Sequence, residues 1–234
     1  MKKIFTLIAA AFMAASVNAQ DYVITGGENA TLDGTATGSF VDGKGNAVTS
    51  AATLTCTTAE GFTLYLLKDG KTYSNGGKIE LNGETITTFK LSNGAWNQMD
   101  IPSGVTISKI EIIGYSNDTG TDSWISNLGS VENGTYTEVY KSDGTGEVLP
   151  KGKDASNLST ITITGSFKGS ILFKNGGKQP CLIMRLYKAS DATGINAVET
   201  TNGEEGAMFN LAGQRVGKDF KGVVVKNGKK VVLK

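Results

Sequence analysis

The chain has 234 residues, with 23 Lys and Arg against 22 Asp and Glu, and it contains no His. Without histidine, Ser-His-Asp and Cys-His catalysis and His-ligated zinc or haem are excluded, and the balanced charge excludes nucleic-acid binding through a basic face. The hydrophobic share of 39% together with 31 glycines is ordinary for an all-β protein and argues against global disorder.

Residues 1–19 have the pattern of a signal peptide. Lys2 and Lys3 give a positively charged start, residues 4–15 form an apolar run too short to cross a bilayer, and Ala19 precedes the predicted cleavage point. A single membrane anchor is the alternative. No second stretch predicts a transmembrane segment. Cleavage would leave 21 basic residues against 22 acidic ones, so the mature chain has no charge-based affinity for membranes or nucleic acid.

Residues 20–188 are predicted to form one β-sandwich domain. In the segment 159–165, Ile161 and Ile163 alternate with threonines, as expected for a half-buried strand. The alternation around 105–112 slips between Ser108 and Lys109, which predicts a β-bulge. Further strands are predicted at 48–58, 62–67, 78–81, 84–91, 130–141, 169–174 and 181–188.

Asn-Gly and Asp-Gly dipeptides recur between these short strands. Such pairs tolerate the positive φ that tight hairpin turns require. We therefore predict an all-β fold, an antiparallel β-sandwich of jelly-roll or Greek-key type.

The two cysteines leave two possibilities open. Export makes a disulfide permissible, and Cys56 and Cys181 would then join an early strand to the last strand of the domain. Alternatively, both are buried free thiols that pack as small hydrophobic residues.

Aromatic residues beside polar turn residues are the predicted ligand-binding groups. An exposed ring stacks on the C–H face of a sugar while neighbouring amides bind its hydroxyls. Alternatively, each tryptophan caps the sandwich core. The predicted binding residues are Trp96, Trp124, Tyr73, Tyr115, Asn97 and Gln98.

A weaker metal site is predicted at Asn117, Asp118 and Asp122, which offer oxygen ligands on a Gly-containing loop. Structural Ca²⁺ is the cation that prefers such oxygens, but the spacing and closing Glu of an EF-hand are missing. A solvated turn is the alternative, and no other cofactor is predicted.

Little in the sequence points to catalysis. There is no nucleophile elbow, phosphate-binding loop or dinucleotide fingerprint. Arg185 and Arg215 are the only arginines, and Arg185 alternates with Ile183 within a predicted strand. A glycosidase needs two carboxylates, but with 22 acidic residues some pair always qualifies.

A change of composition ends the sandwich. Residues 189–206 are small, polar and acidic and predict a linker. Residues 207–234 regain strand character, and two aliphatic runs flank Asn227-Gly228, which predicts a small C-terminal β-hairpin segment.

This tail resembles the C-terminal sorting segments of proteins that use the type IX secretion system of Gram-negative bacteria. The resemblance covers about the last 40 residues: an aromatic and aliphatic strand, a Gly-Gln-Arg-Val step, a Lys-Gly pair before an aliphatic run, and a lysine-ended last strand. The tail is shorter than the full family domain. The resemblance implies passage through the periplasm, recognition by the secretion machinery, and delivery to the cell surface or exterior. The matching residues are Gly213, Gln214, Arg215, Val216, Lys221, Gly222 and Lys234.

Within the sandwich, residues 114–117, 148–150, 169–173 and 177–179 are similar to β-sandwich modules that accompany polysaccharide-degrading enzymes. This similarity implies a polysaccharide as partner. The sequence thus predicts an exported, non-catalytic carbohydrate-binding protein. A surface adhesin that binds a protein is the second hypothesis, and a small polysaccharide-active enzyme is the third.

Overall fold

The computed structural model describes residues 20–152, 155–189, 208–210, 215–217, 219–226 and 229–233. Its contacts divide the chain into two units, 1–189 and 190–234. The strands of the first unit, in chain order, are β1 (Tyr22–Ile24), β2 (Ala30–Val41), β3 (Ala47–Cys56), β4 (Thr63–Leu67), β5 (Ser74–Leu81), β6 (Glu84–Lys90), β7 (Trp96–Asp100), β8 (Ile107–Ser116), β9 (Trp124–Glu132), β10 (Thr135–Tyr140), β11 (Ser159–Phe167), β12 (Ser170–Gly176) and β13 (Pro180–Lys188).

These strands form two antiparallel sheets. The six-stranded sheet has the order β11-β8-β13-β6-β5, and β1 also pairs with β13. The seven-stranded sheet has the order β10-β9-β12-β7-β4-β3-β2. No helix in the described residues is both long and apolar enough to span a membrane. The predicted fold class, an all-β antiparallel sandwich, is confirmed.

The main core lies between the two sheets. Strand alternation sends Ile110 and Ile112 of β8, and Leu182 and Met184 of β13, into this core, where they are almost completely buried. On the other side of the six-stranded sheet a second apolar cluster contains Ile79, Ile86, Ile113, Tyr115, Cys181 and Ile183. The side chain of Leu158 packs on it, so this outer face is partly closed to solvent.

The turns and irregularities follow the sequence closely. The pairing of β8 shifts register between Ile107 and Lys109 with both neighbouring strands, which confirms the predicted bulge. The single strand predicted at 130–141 is wrong, because β9 and β10 are two strands of a hairpin. Asn133 and Gly134 form its turn and have φ of 51° and 76°, as the tightest hairpin turns require.

The second unit is a four-stranded sheet built from β14 (Met208–Asn210), β15 (Arg215–Val216), β16 (Gly222–Lys226) and β17 (Lys229–Leu233), in the order β15-β14-β16-β17. Lys226 pairs with Lys229, which confirms the predicted hairpin around Asn227-Gly228. Of the predicted sorting residues, Arg215, Val216, Lys221 and Gly222 are described. Gly213, Gln214, Lys234, the signal peptide 1–19 and the linker beyond Ala189 lie outside the described residues.

Candidate functional site on the outer face of the seven-stranded sheet

Trp96 begins β7 and points away from the core, yet it is only 6% exposed. The turn between β2 and β3 covers it: a Cβ added to Gly43 would lie 2.2 Å from the indole ring. Tyr136 packs edge-on, with its ring centroid 6.0 Å from that of Trp96. The expectation that the Trp96 ring stacks on a ligand is therefore corrected, because protein atoms already cover it.

Trp124 begins β9 and pairs with Gly176 of β12 on the same outer face. A Cβ at Gly176 would lie 2.2 Å from its ring, and one at Gly144 would lie 3.5 Å away. The ring is half-buried against these two glycines. Both tryptophans thus share a face, but neither stands free on a loop.

Three other predicted binding residues are interior. Tyr73 and Asn97 lie in the core, where the Tyr73 hydroxyl donates a hydrogen bond of 3.1 Å to Asn97 Oδ1. Burial raises the pKa of Tyr73 well above its ordinary value. Tyr115 is 2% exposed and belongs to the second apolar cluster. A glycan cannot reach these side chains, so their predicted role in binding is corrected to one in packing.

Gln98 is the one predicted residue that leads to an accessible polar site. Its Nε2 donates a hydrogen bond of 2.8 Å to Asp100 Oδ1, and Ser170 Oγ donates one of 2.6 Å to the same oxygen. Tyr65 lies beside Asp100: burial and the negative charge of Asp100 raise the pKa of the Tyr65 hydroxyl, although Thr63 acts in the other direction. Neutral donors therefore converge on one half-buried carboxylate.

The register of the sheet explains this convergence. Asp100 of β7 pairs with Thr63 on one side and with Ser170 on the other, and Ser170 pairs with Val131. Because cross-strand partners share a face, these side chains form one line across the sheet. We call Thr31, Thr55, Thr63, Asp100, Ser170 and Val131 the Asp100 row.

The next line of outward residues supplies ring surface. It contains Tyr65, which pairs with Gln98. The Phe40 ring packs against Tyr65, with centroids 5.0 Å apart and planes inclined at 41°. Both rings are half-buried. An apolar ring beside oriented hydroxyl, amide and carboxylate groups suits a sugar, which presents C–H groups on its faces and hydroxyls at its edge.

Asp100, Ser170, Thr63 and Tyr65 were not predicted as site residues. Part of the signal was available, since Thr63 and Tyr65 alternate within the predicted strand 62–67 and therefore share a face. The pairing of Asp100 with Ser170, seventy residues later, was not visible in the sequence.

The predicted calcium loop uses its carboxylates internally. Asp118 Oδ1 accepts hydrogen bonds from the backbone N–H groups of Gly120 (2.7 Å) and Thr121 (3.0 Å), and Asp122 Oδ1 accepts one from Lys151 N (2.8 Å). The backbone N–H of Asn117 donates to the carbonyl of Gln179. Within the described part of the chain, no three His, Cys, Asp or Glu side chains come together as a metal site. These carboxylates are thus engaged in hydrogen bonds within the turn, and a calcium site at this loop stays a prediction.

Cys56 and Cys181 are buried free thiols in this structure. Cys56 belongs to the main core and Cys181 to the second cluster, on opposite sides of the six-stranded sheet. Burial raises the pKa of Cys56 to about 11, although hydrogen bonds with the Thr25 backbone act in the other direction. The arrangement is that of the free-thiol alternative.

A different group of polar side chains occupies the outer face of the six-stranded sheet. Lys109 Nζ lies 2.8 Å from Glu111 Oε1 and 3.6 Å from the ring centroid of Tyr187. The Tyr187 hydroxyl donates a hydrogen bond of 2.5 Å to Glu111 Oε2. Burial would raise the pKa of Glu111, but the hydrogen bonds from Lys109 and Tyr187 and the lysine charge lower it.

Comparisons with known proteins place few constraints on this chain. No protein-family description and no curated protein matches it. Among solved structures, it is similar to CpGH89CBM32-6 produced by Clostridium perfringens, with 12% sequence identity and a TM-score of 0.33. The match covers 56% of this chain and 95% of the other. At this TM-score the likeness says nothing about function, which rests on the site itself.

Proposed function

We propose that this protein binds carbohydrate, without catalysis, on the outer face of its seven-stranded sheet. The observation that supports this is the Asp100 carboxylate, to which Gln98 and Ser170 are hydrogen-bonded and whose charge acts on the neighbouring Tyr65. A carboxylate has about four lone-pair sites, so it can still accept hydrogen bonds from sugar hydroxyls. The Tyr65 and Phe40 rings supply adjoining apolar surface.

The neighbours of Asp100 favour binding over hydrolysis. Glycosidases place two carboxyl groups across the scissile bond, about 5–10 Å apart. The side chains next to Asp100 across the sheet are Thr63 and Ser170, and Gln98 precedes it on the same face. These nearest groups are neutral donors and acceptors, which suits recognition of hydroxyls. A second carboxylate of this face, Glu60, lies in the depression beyond Thr63 and not next to Asp100 across the sheet.

The test is a binding measurement with matched tyrosine variants. Tyr65→Ala removes a ring and hydroxyl beside Asp100, whereas Tyr187→Ala removes the tyrosine bonded to Glu111 on the other face. Affinity electrophoresis against a panel of soluble neutral polysaccharides should show retardation of the parent protein and of Tyr187→Ala. Retardation should be lost in Tyr65→Ala. Equal retardation of all three proteins, or of none, would contradict the proposal.

We also propose that the protein is exported and that its tail directs it to the cell surface or exterior. The N-terminal pattern of residues 1–19 and the Lys221-Gly222 and Arg215-Val216 steps of the tail support this. The test is expression in a Gram-negative host with type IX secretion, comparing the full chain with one truncated after Ala189. Fractionation should find the truncated protein in the periplasm and the full chain outside, and an extracellular truncated protein would contradict the sorting role.

A further inference from the structure

We propose that the same face binds an internal stretch of an extended, neutral polysaccharide, laid across the strands along the Asp100 row. This inference rests on the proposed carbohydrate binding and adds the shape, the charge class and the required length of the ligand. Two observations support it. The row is continuous across the sheet, and a depression adjoins the row at each end.

The row runs without interruption over neighbouring strands. Thr31 pairs with Thr55, and Thr55 lies one step beyond the Leu54–Leu64 pair, opposite Thr63. Thr63, Asp100, Ser170 and Val131 continue the line, which ends at the Val131–Tyr136 pair. With strands about 4.8 Å apart, a line over seven strands is about 29 Å long, which is far more than one sugar ring occupies.

Each end of the row opens into a depression. One depression is lined by row residues Thr31, Thr55 and Thr63 together with Asn29 and Glu60. The other is lined by residues 130–133 and by Ser166, Lys168 and Gly169. A site that grips the end of a chain needs a closed wall, whereas a line that is open at both ends lets a longer polymer continue past the protein.

The chemistry of the row selects a neutral ligand. Threonine and serine hydroxyls both donate and accept hydrogen bonds, so they match sugar hydroxyls of either orientation. The charged groups at its centre and in the first depression are the carboxylates of Asp100 and Glu60. The second depression holds one charge of each sign, Glu132 and Lys168, so carboxylates outnumber cations along the site. An acidic polysaccharide would place like charges together here, which is unfavourable.

The exposure of the row agrees with this use. Thr31 and Thr55 are exposed, and Thr63, Asp100 and Ser170 are half-buried, so the whole line can be reached from solvent. Tyr65 stands beside it in the adjacent line and can contact the sugar that occupies the Asp100 position.

The experiment is a calorimetric titration with neutral oligosaccharides, from disaccharide to octasaccharide, prepared from each polysaccharide that retards the protein. Affinity should rise by at least about tenfold between the disaccharide and the hexasaccharide, as expected from one or two added hydrogen bonds, and should then level off. Carboxylated oligosaccharides of equal length should bind more weakly. Thr55→Glu, which adds a bulky charge to the row away from Asp100, should weaken hexasaccharide binding more than disaccharide binding.

The matched control is Thr164→Glu, an exposed threonine on the six-stranded sheet that pairs with Lys109, and it should bind every oligosaccharide as the parent does. If the disaccharide binds as tightly as the hexasaccharide and Thr55→Glu has no effect, the extended site is wrong while carbohydrate binding stands. If no neutral glycan of any length binds, the proposed function itself fails and this inference fails with it.

Discussion

The two outer faces of the sandwich carry the same pair of side chains, a tyrosine and a carboxylate, in different surroundings. On the six-stranded sheet, Glu111 bonds Tyr187 and Lys109, so its charge is balanced within the protein. On the seven-stranded sheet, Asp100 accepts hydrogen bonds from Gln98 and Ser170 and lies beside Tyr65, and all three of these groups are neutral.

The difference shows how one motif can serve stability or recognition. A carboxylate that is already paired with a cation gains little from a sugar hydroxyl, because it must give up part of an existing interaction. A carboxylate held by neutral groups keeps its charge available, and hydrogen bonds to charged groups are worth about 1.5–3 kcal/mol. Four experiments test this difference between the two faces.

The largest effect is expected on ligand binding. Asp100→Ala should lower the affinity for a neutral polysaccharide by at least about tenfold, because it removes a charged acceptor worth about 1.5–3 kcal/mol. Glu111→Ala, its counterpart on the other face, should leave the affinity unchanged. Calorimetric titration measures both, and equal losses in the two variants would show that the faces do not differ.

The next effect concerns the interior that separates the faces. The pKa of the Cys56 thiol is raised to about 11 in the folded protein, whereas it is near 9 in the unfolded chain. Between these two pH values the thiol is protonated in the folded state and ionised in the unfolded state. Stability should therefore fall between about pH 9 and pH 11, by up to about 1.4 kcal/mol for each unit of pKa difference. Cys56→Ala should remove this part of the loss.

The two thiols also report on the burial on each side of the six-stranded sheet. Neither Cys56 nor Cys181 should react with a thiol reagent in the native protein, and both should react once the unreduced protein is unfolded. Denaturant titrations at several pH values measure the stability. Reaction with a thiol reagent, without denaturant and in full denaturant, counts the free thiols of the native and unfolded states. Loss of both thiols in unreduced, unfolded protein would show that a bridge forms after all.

A third experiment concerns the covering of Trp96. Gly43→Val places a side chain where the indole ring lies, because even a Cβ would come within 2.2 Å, and overpacking of this kind costs about 1–3 kcal/mol. A Cβ added at Gly38, in the same hairpin, would lie 3.6 Å from the Phe40 ring, which is an ordinary contact. Gly38→Ala is therefore the matched control. Tryptophan emission should shift to longer wavelength and become more easily quenched in Gly43→Val alone.

The smallest effect is expected from the ion pair. Lys109→Met should lower the free energy of unfolding by up to about 1 kcal/mol, the usual range for partly exposed pairs. Because Glu111 has a lowered pKa, the stabilisation is present above its ordinary value near 4.5 and is lost as the pH falls through the folded-state value. Lys78→Met, an exposed lysine of β5, is the control and should show no such pH dependence.

Strand β7 explains why the fold was more predictable than the site. Its sequence places Trp96 outside and Asn97 inside, which reverses the usual alternation. The reversal is stable because Tyr73 bonds the buried Asn97 and the β2–β3 turn covers Trp96. Both compensations come from residues more than twenty positions away, so no local pattern reveals them. Strand β11 was predictable because Ile161 and Ile163 alternate regularly with exposed threonines, and its pairing with β8 only adds to that pattern.

The six-stranded sheet joins the two ends of the sandwich domain. The first strand, β1, pairs with the last strand, β13, and the Lys188 backbone N–H donates a hydrogen bond to the Asp21 carboxylate 167 residues earlier. Contacts between residues so far apart in sequence form slowly. The sheet is not complete until residue 188 is available to pair, so under the proposed export a chain still inside a membrane pore would have no finished fold to unravel.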